Sequence, residues 1–166
     1  QMKDRLHYDG DMKEKGKGSE GRVFEAGKYA VKIMANKNMK YTLIGDQWKN
    51  KNGKSIFHEA DMMKQIGEHK NILQVRDAFA CIFNDAELLY WYIITDFVAG
   101  GMLWDIVKNR RVQMQENNRK PLLDNLTAME VMYQLADGVN HCHNHGIVHR
   151  DIKLENIIVG SLLDNI

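Results

Sequence analysis

Apolar and polar residues alternate along the early part of the chain, and apolar residues return every three or four positions in its later part. Residues 22–26 and 29–34 read as strands joined by the turn pair Gly27-Lys28. Residues 1–15 are polar and lead into an earlier strand. Residues 35–54 are rich in Lys and Asn, contain Gly45 and Gly53, and show no period, so they read as a mobile connection. Ser55 can cap a helix over 56–66, on which Glu59, Met62, Met63 and Ile66 share one face before Gly67 ends it. Further strands follow over 72–83 and 88–98, joined by Asn84-Asp85-Ala86-Glu87.

Gly100-Gly101 breaks the last strand, and Leu103, Trp104, Ile106 and Val107 mark a short amphipathic helix. Residues 108–120 are polar and read as an insertion loop. Thr127-Ala128-Met129-Glu130 has the form of a capping box, with Leu126 and Val131 placed as a hydrophobic staple. The helix it opens should run to about His143 and bury Met132, Leu135, Ala136 and Val139. The apolar bend Gly146-Ile147-Val148 then leads into the polar run His149-Arg150-Asp151-Ile152-Lys153-Leu154-Glu155-Asn156 and the β-rich Ile157-Ile158-Val159. The order gives an α+β chain that divides near Ala99, mainly β before it and mainly α after it.

With 166 residues the chain can form one ordinary domain with a real core. A net charge of +1 gives no global pull towards nucleic acid or a membrane surface. No apolar run approaches the ~20 residues of a membrane-spanning helix. Cys81 and Cys142 lack metal-ligand spacing, which fits a reducing, cytoplasmic setting better than a disulfide framework. The opening Gln1 suggests a piece of something longer, and its polar surroundings are no secretory signal.

Chemistry concentrates at a few places. Gly16-x-Gly18-x-x-Gly21 suits a close backbone approach to phosphates, and equally a plain turn. A strand and hairpin follow it, where a dinucleotide fold would need a helix. Lys32 is either a solvated strand-end lysine or a cation paired inside a sheet. Residues 92–101 read on their own as a core strand and a glycine turn. His141 and His145, four apart, raise a zinc site as a minor alternative. The run from His149 to Asn156 sets a carboxylate beside cations and an amide. That combination suits a hydroxyl handled near a phosphate and a metal ion.

Taken together and in this order, from about Met12 to Ile166, these segments resemble the catalytic domain of eukaryotic protein kinases. The resemblance implies a protein-kinase-like α+β fold. Its β-rich N-lobe, with a regulatory helix and the hinge, would take 1–98. The first helices and the catalytic loop of a truncated helical C-lobe would take 99–166. It puts Gly16, Gly18, Gly21 and Lys32 at the phosphates of ATP, with Glu59 as the ion-pair partner of Lys32. Thr95 becomes the gatekeeper beside the adenine, Asp96 and Val98 offer backbone groups to its edge, and Val23, Ala30 and Ile158 sandwich the ring. Asp151 becomes the base or hydroxyl-orienting residue, and Asn156 the Mg²⁺ ligand. Lys153, two residues after Asp151, favours a protein substrate carrying Ser or Thr. Arg150 becomes a receiver of an activation-loop phosphate, and His143 and His149 take packing roles.

Lys15 stands where kinases usually carry an apolar residue, and Glu20 replaces the usual aromatic at the loop tip. No acid for the ribose stands at Gly101 or Met102, and Asp105 is one turn on. No Asp-Phe-Gly occurs, so the chain alone, as the early part of an ATP- and Mg²⁺-dependent serine/threonine kinase, is expected to be inactive. It is also expected to be marginally stable, because the helix from Thr127 carries apolar residues on more than one face that later helices cover in a complete kinase. The alternatives are a nucleotide-binding pseudokinase or scaffold, and an unrelated α+β interaction module. Nothing points to a nucleic-acid partner or a membrane segment.

Overall fold

The computed structural model describes residues 8–17, 21–36, 41–44, 47–50, 52–83, 88–117 and 124–160. They fall into two compact units. The first takes the chain up to Glu68 together with Leu73–Phe97, and the second takes His69–Ile72 and the chain from Val98 onward.

In the first unit β1 (Lys13–Lys17), β2 (Arg22–Ala26) and β3 (Tyr29–Asn36) are followed by a hairpin of β4 (Tyr41–Ile44) and β5 (Gln47–Asn50). Helix α1 (His58–Ile66) and strands β6 (Val75–Phe83) and β7 (Leu88–Asp96) complete it. The main sheet is antiparallel with the order β1-β2-β3-β7-β6. The tight β2–β3 turn needs a left-handed residue, and Gly27 supplies it at φ +62°. The inner strands β3 and β7 carry apolar residues on both faces because both faces are covered. Val31, Phe79, Tyr92 and Ile94 make one core, and Met34 and Ile93 pack with Ala60 of α1 on the other side.

Two expectations for this unit are corrected. Part of the stretch expected to be a mobile connection is the β4–β5 hairpin, with Leu43 opposite Trp48. Thr42, Ile44 and Trp48 are β-branched or aromatic, types that favour strands, and Gly45 and Asp46 lie outside the described residues. Helix α1 opens at His58, with Phe57 in the capping position. Ser55 acts just before it, accepting from the Phe57 N–H at 3.0 Å.

The second unit contains α2 (Leu103–Asn117), α3 (Asn125–Asn144) and a short 3-10 turn (Leu154–Asn156). Helix α2 runs through most of the expected insertion loop. Its polar residues there are largely Lys, Arg, Gln and Glu, straight-chain types that lose little rotamer freedom in a helix. The cap of α3 is also corrected. Asp124, not Thr127, is the N-cap, and its carboxylate accepts from the Thr127 N–H at 2.8 Å. A charged acceptor three residues upstream opens the helix earlier, and Thr127 becomes a buried helical residue. Leu135 and Val139 are half-buried as expected, whereas Met132 and Ala136 are exposed. The buried stripe of α3 runs through the small residues Thr127, Gly138 and Cys142. Gly138 matters there: a Cβ at this position would stand 2.9 Å from the Asn71 carbonyl oxygen. Asn71 Nδ2 also donates to Asp137 Oδ2 at 3.0 Å, fixing segment 69–72 to α3. Among the described residues no helix is long and apolar enough to cross a membrane.

Candidate active site

Register decides which side chains of the first unit share a face, since residues directly opposite in an antiparallel ladder point the same way. Val23 is opposite Lys32, Lys32 opposite Ile93, Glu25 opposite Ala30, and Ala30 opposite Thr95. Val23, Ala30, Lys32 and Thr95 therefore line one face, the face against which α1 packs Ala60. Gly16 is in β1 opposite Val23, and Gly18 lies outside the described residues, as does Glu20. Gly21 has a steric reason to be glycine: a Cβ there would run into the Ile33 carbonyl oxygen.

On this face Lys32 Nζ lies 3.1 Å and 3.5 Å from the Glu59 carboxylate oxygens. The ion pair expected from the sequence is thus present, joining β3 to α1. A lysine on a covered strand needs such a partner to offset its desolvation.

Asp96, at the end of β7, is held from the side. Arg76 Nε donates to its Oδ1 at 2.8 Å and Nη2 to its Oδ2 at 2.6 Å, while Nη1 donates to Glu68 Oε1 at 3.1 Å. The guanidinium holds the Asp96 carboxyl below its ordinary range, and Asp96 and then Glu68 raise the pKa of Arg76. The Asp96 main-chain carbonyl accepts from the Thr95 hydroxyl at 3.3 Å. The Phe97 N–H donates to the Lys28 carbonyl at 2.9 Å, tying this segment to the β2–β3 turn. Nothing in the sequence pattern singles out Arg76; it stands in a strand far from Asp96 in order, and only the β6–β7 pairing brings the two together.

In the second unit, the segment that begins at Val98 turns at Gly101, with φ +83°. Met102 bridges Ile158, the Leu103 N–H donates to the Ile157 carbonyl at 2.8 Å, and the Val159 N–H donates to the Gly101 carbonyl at 2.9 Å. A Cβ at Gly100 would run into the Val159 carbonyl oxygen. The glycine pair thereby secures the segment that follows the polar loop and keeps Ile158 partly exposed. Asp105 is exposed in the first turn of α2.

The polar loop itself is built around Asp151. Lys153 Nζ lies 2.9 Å from Asp151 Oδ2, and Asn156 Nδ2 donates to the same oxygen at 2.8 Å and to the Asp151 carbonyl at 2.9 Å. The Asp151 N–H donates to His149 Nδ1 at 3.3 Å. Arg150 adopts a left-handed backbone at φ +65°. For a non-glycine residue that costs on the order of 1 kcal/mol, and it turns the chain so that residues 149, 151, 153 and 156 can converge. The bonds from Lys153 and then Asn156 hold the Asp151 carboxyl below its ordinary range, and Asp151 in turn raises the pKa of Lys153. The result is an exposed anion beside a fixed ammonium, with the Asn156 amide nitrogen turned inward and its hard Oδ1 outside these bonds. Such a group can orient a hydroxyl and offer oxygen to a hard cation.

The His141 ring stacks on His69 and packs against His145, each at 4.5 Å between centroids. Among the described residues no three His, Cys, Asp or Glu side chains cluster to hold a metal. His143 and His149, expected to pack, are exposed.

A family model described as the protein kinase domain matches residues 11–163. The chain is 30% identical over 134 residues to the probable serine/threonine-protein kinase fhkC of Dictyostelium discoideum, covering 81% of this chain and 18% of that protein. It is 34% identical over 131 residues to CBL-interacting serine/threonine-protein kinase 24 of Arabidopsis thaliana, covering 78% and 24%. Calcium-dependent protein kinase 4 of Plasmodium falciparum (isolate 3D7) is 26% identical over 150 residues, covering 87% and 24%. The chain therefore spans less than a quarter of the length of these relatives.

Proposed function

The chain belongs to the protein kinase domain family, and from that premise we propose that it is the nucleotide-binding part of an enzyme that transfers the γ-phosphate of ATP to a protein serine or threonine. The observation that carries this reading is the Asp151 carboxylate, bonded at once to the Lys153 ammonium and the Asn156 amide. Asp151 orients the acceptor hydroxyl. Its low pKa makes it a weak base, so it takes the proton only as the new bond to phosphorus forms. Lys153 stabilises the charge of the transferring group, and a lysine at this place favours an aliphatic hydroxyl over a phenol. Lys32, steadied by Glu59, meets the nucleotide phosphates together with Gly16, Gly18 and Gly21. The Asp96 carbonyl and the Val98 N–H take the adenine edge. Val23, Ala30 and Thr95 contact the ring, and Ile158 is assigned to it on the family resemblance. Asn156 would hold Mg²⁺ through Oδ1, and the donor set of hard oxygens beside Asp151 fits that cation. Magnesium, when bound, supplies positive charge to the phosphate oxygens.

The 166 residues contain no Asp-Phe-Gly. This favours a second reading for the chain by itself: it binds nucleotide without transferring phosphate. Cys81 and Cys142 form no disulfide among the described residues, which supports an intracellular, reducing compartment. The test is phosphate transfer from labelled ATP to a serine peptide and to a tyrosine peptide, by this chain and by a longer protein in which it is extended to a complete kinase domain. Transfer to serine by the longer protein, lost in Asp151→Ala, supports the first reading. Mg²⁺-dependent ATP binding without transfer by either supports the second.

A further inference from the structure

The sheet face that carries Val23, Ala30, Lys32 and Thr95 holds a second cation. Between β1 and β2 the register passes from Glu14 opposite Phe24 to Gly16 opposite Val23, so Lys15 is an extra residue bulged out of the ladder. Bulges re-aim side chains. Here Lys15 Nζ reaches 3.1 Å from Glu25 Oε2 and stands 5.2 Å from the centre of the Phe97 ring. Glu25 is opposite Ala30, so the ammonium is delivered to the nucleotide face beside the segment assigned to the adenine edge. Two side chains set its field. Glu25 offsets part of its charge, and Phe97 offers it a π face.

We propose that Lys15 is a specificity-determining residue of this face: it favours an anionic nucleotide over the uncharged nucleoside, and Glu25 sets how strongly. The proposal rests on the nucleotide-binding reading and adds a selectivity to it. An ammonium only partly matched by its carboxylate attracts the phosphates of ATP through water-exposed space. The same ammonium must shed water when a flat uncharged ligand covers it, which disfavours adenosine. Removing the cation and removing its carboxylate should therefore act in opposite directions.

The experiment is calorimetric titration of this chain with ATP and with adenosine, at low and high salt, for wild type, Lys15→Leu, Glu25→Gln and Lys32→Ala. Circular dichroism checks that each variant is folded. Lys15→Leu should lower the preference for ATP over adenosine by about fivefold, the size of one unit-charge interaction in a high-dielectric setting. Glu25→Gln should raise it, and the salt dependence of the preference should shrink in Lys15→Leu and grow in Glu25→Gln. If Lys15 and Glu25 only brace the sheet, both substitutions shift both ligands in one direction, and the proposal is overturned. ATP binding that needs Lys32 but ignores Lys15 and Glu25 overturns it while leaving the nucleotide reading intact. No ATP binding by the wild type ends both.

Discussion

Lys32 and Glu59, 27 positions apart in sequence, meet with Nζ 3.1 Å from Oε2. The contact exists because β3 lies under α1, with Ala60 buried one residue beyond the glutamate. The glutamate side chain is 55% exposed and the lysine 28%. Such a pair contributes only about 0.2–1 kcal/mol to folding, since solvent screens it. Lys32→Met and Glu59→Gln should therefore leave the melting temperature almost unchanged. Both should weaken ATP binding, the lysine variant more. Calorimetry beside thermal denaturation separates the two effects; a large loss of stability with intact ATP binding would make the pair structural.

The Asp151–Lys153 bond predicts a pH window. A carboxyl with a depressed pKa contributes to folding above the ordinary carboxylate pKa and loses that contribution as pH falls through its own lower value. Lys153, with a raised pKa, contributes fully below the ordinary lysine pKa and stops as pH rises past its own higher value. Across neutral pH both are charged. Lys153→Ala should move the Asp151 titration upward, towards the ordinary value of about 3.9. Carboxyl carbon shifts followed by NMR against pH measure it. An unmoved titration would remove Lys153 as the main partner.

Thr95 is half-buried and opposite Ala30, on the face assigned to adenine. Threonine leaves space that methionine would fill. Thr95→Met should exclude bulky adenine-competitive ligands by tenfold or more, roughly 1.4 kcal/mol, while ATP binding stays nearly constant. Equal losses for both classes count against the assignment.

Leu126, Met129, Met132 and Tyr133 on α3 are 79%, 67%, 61% and 66% exposed. Covering a large apolar side chain gains roughly 1.5–3 kcal/mol, so this face favours association. The chain should bind a hydrophobic dye and self-associate as concentration rises. Met129→Lys with Tyr133→Glu should reduce both without loss of helix content, read by dye fluorescence, sedimentation and circular dichroism. Unchanged dye binding would locate the apolar surface elsewhere.

The sequence by itself determined the elements whose signals are local. Alternation over 22–34 with Gly27 between the strands specified the β2–β3 hairpin, because a side-chain period of two and a left-handed turn residue leave little else. The spacing of Gly16, Lys32, Glu59 and the run from His149 to Asn156 marked the family. The resemblance to that family, rather than any local signal, paired Lys32 with Glu59. Local signals misled where two competed. Thr127 has a capping-box form, but Asp124 offers a charged acceptor one turn earlier and takes the helix end. The polar run after Lys108 lacks an apolar stripe, yet its straight side chains are good helix formers. Tertiary structure alone decided the rest. Arg76 meets Asp96 only through the β6–β7 register, Lys15 reaches Glu25 and Phe97 only through a bulge, and Gly100 is constrained by the Val159 carbonyl, far along the chain. In each case the partner comes from another element, and strand register or loop closure, which no short window of sequence contains, brings the two within bonding distance.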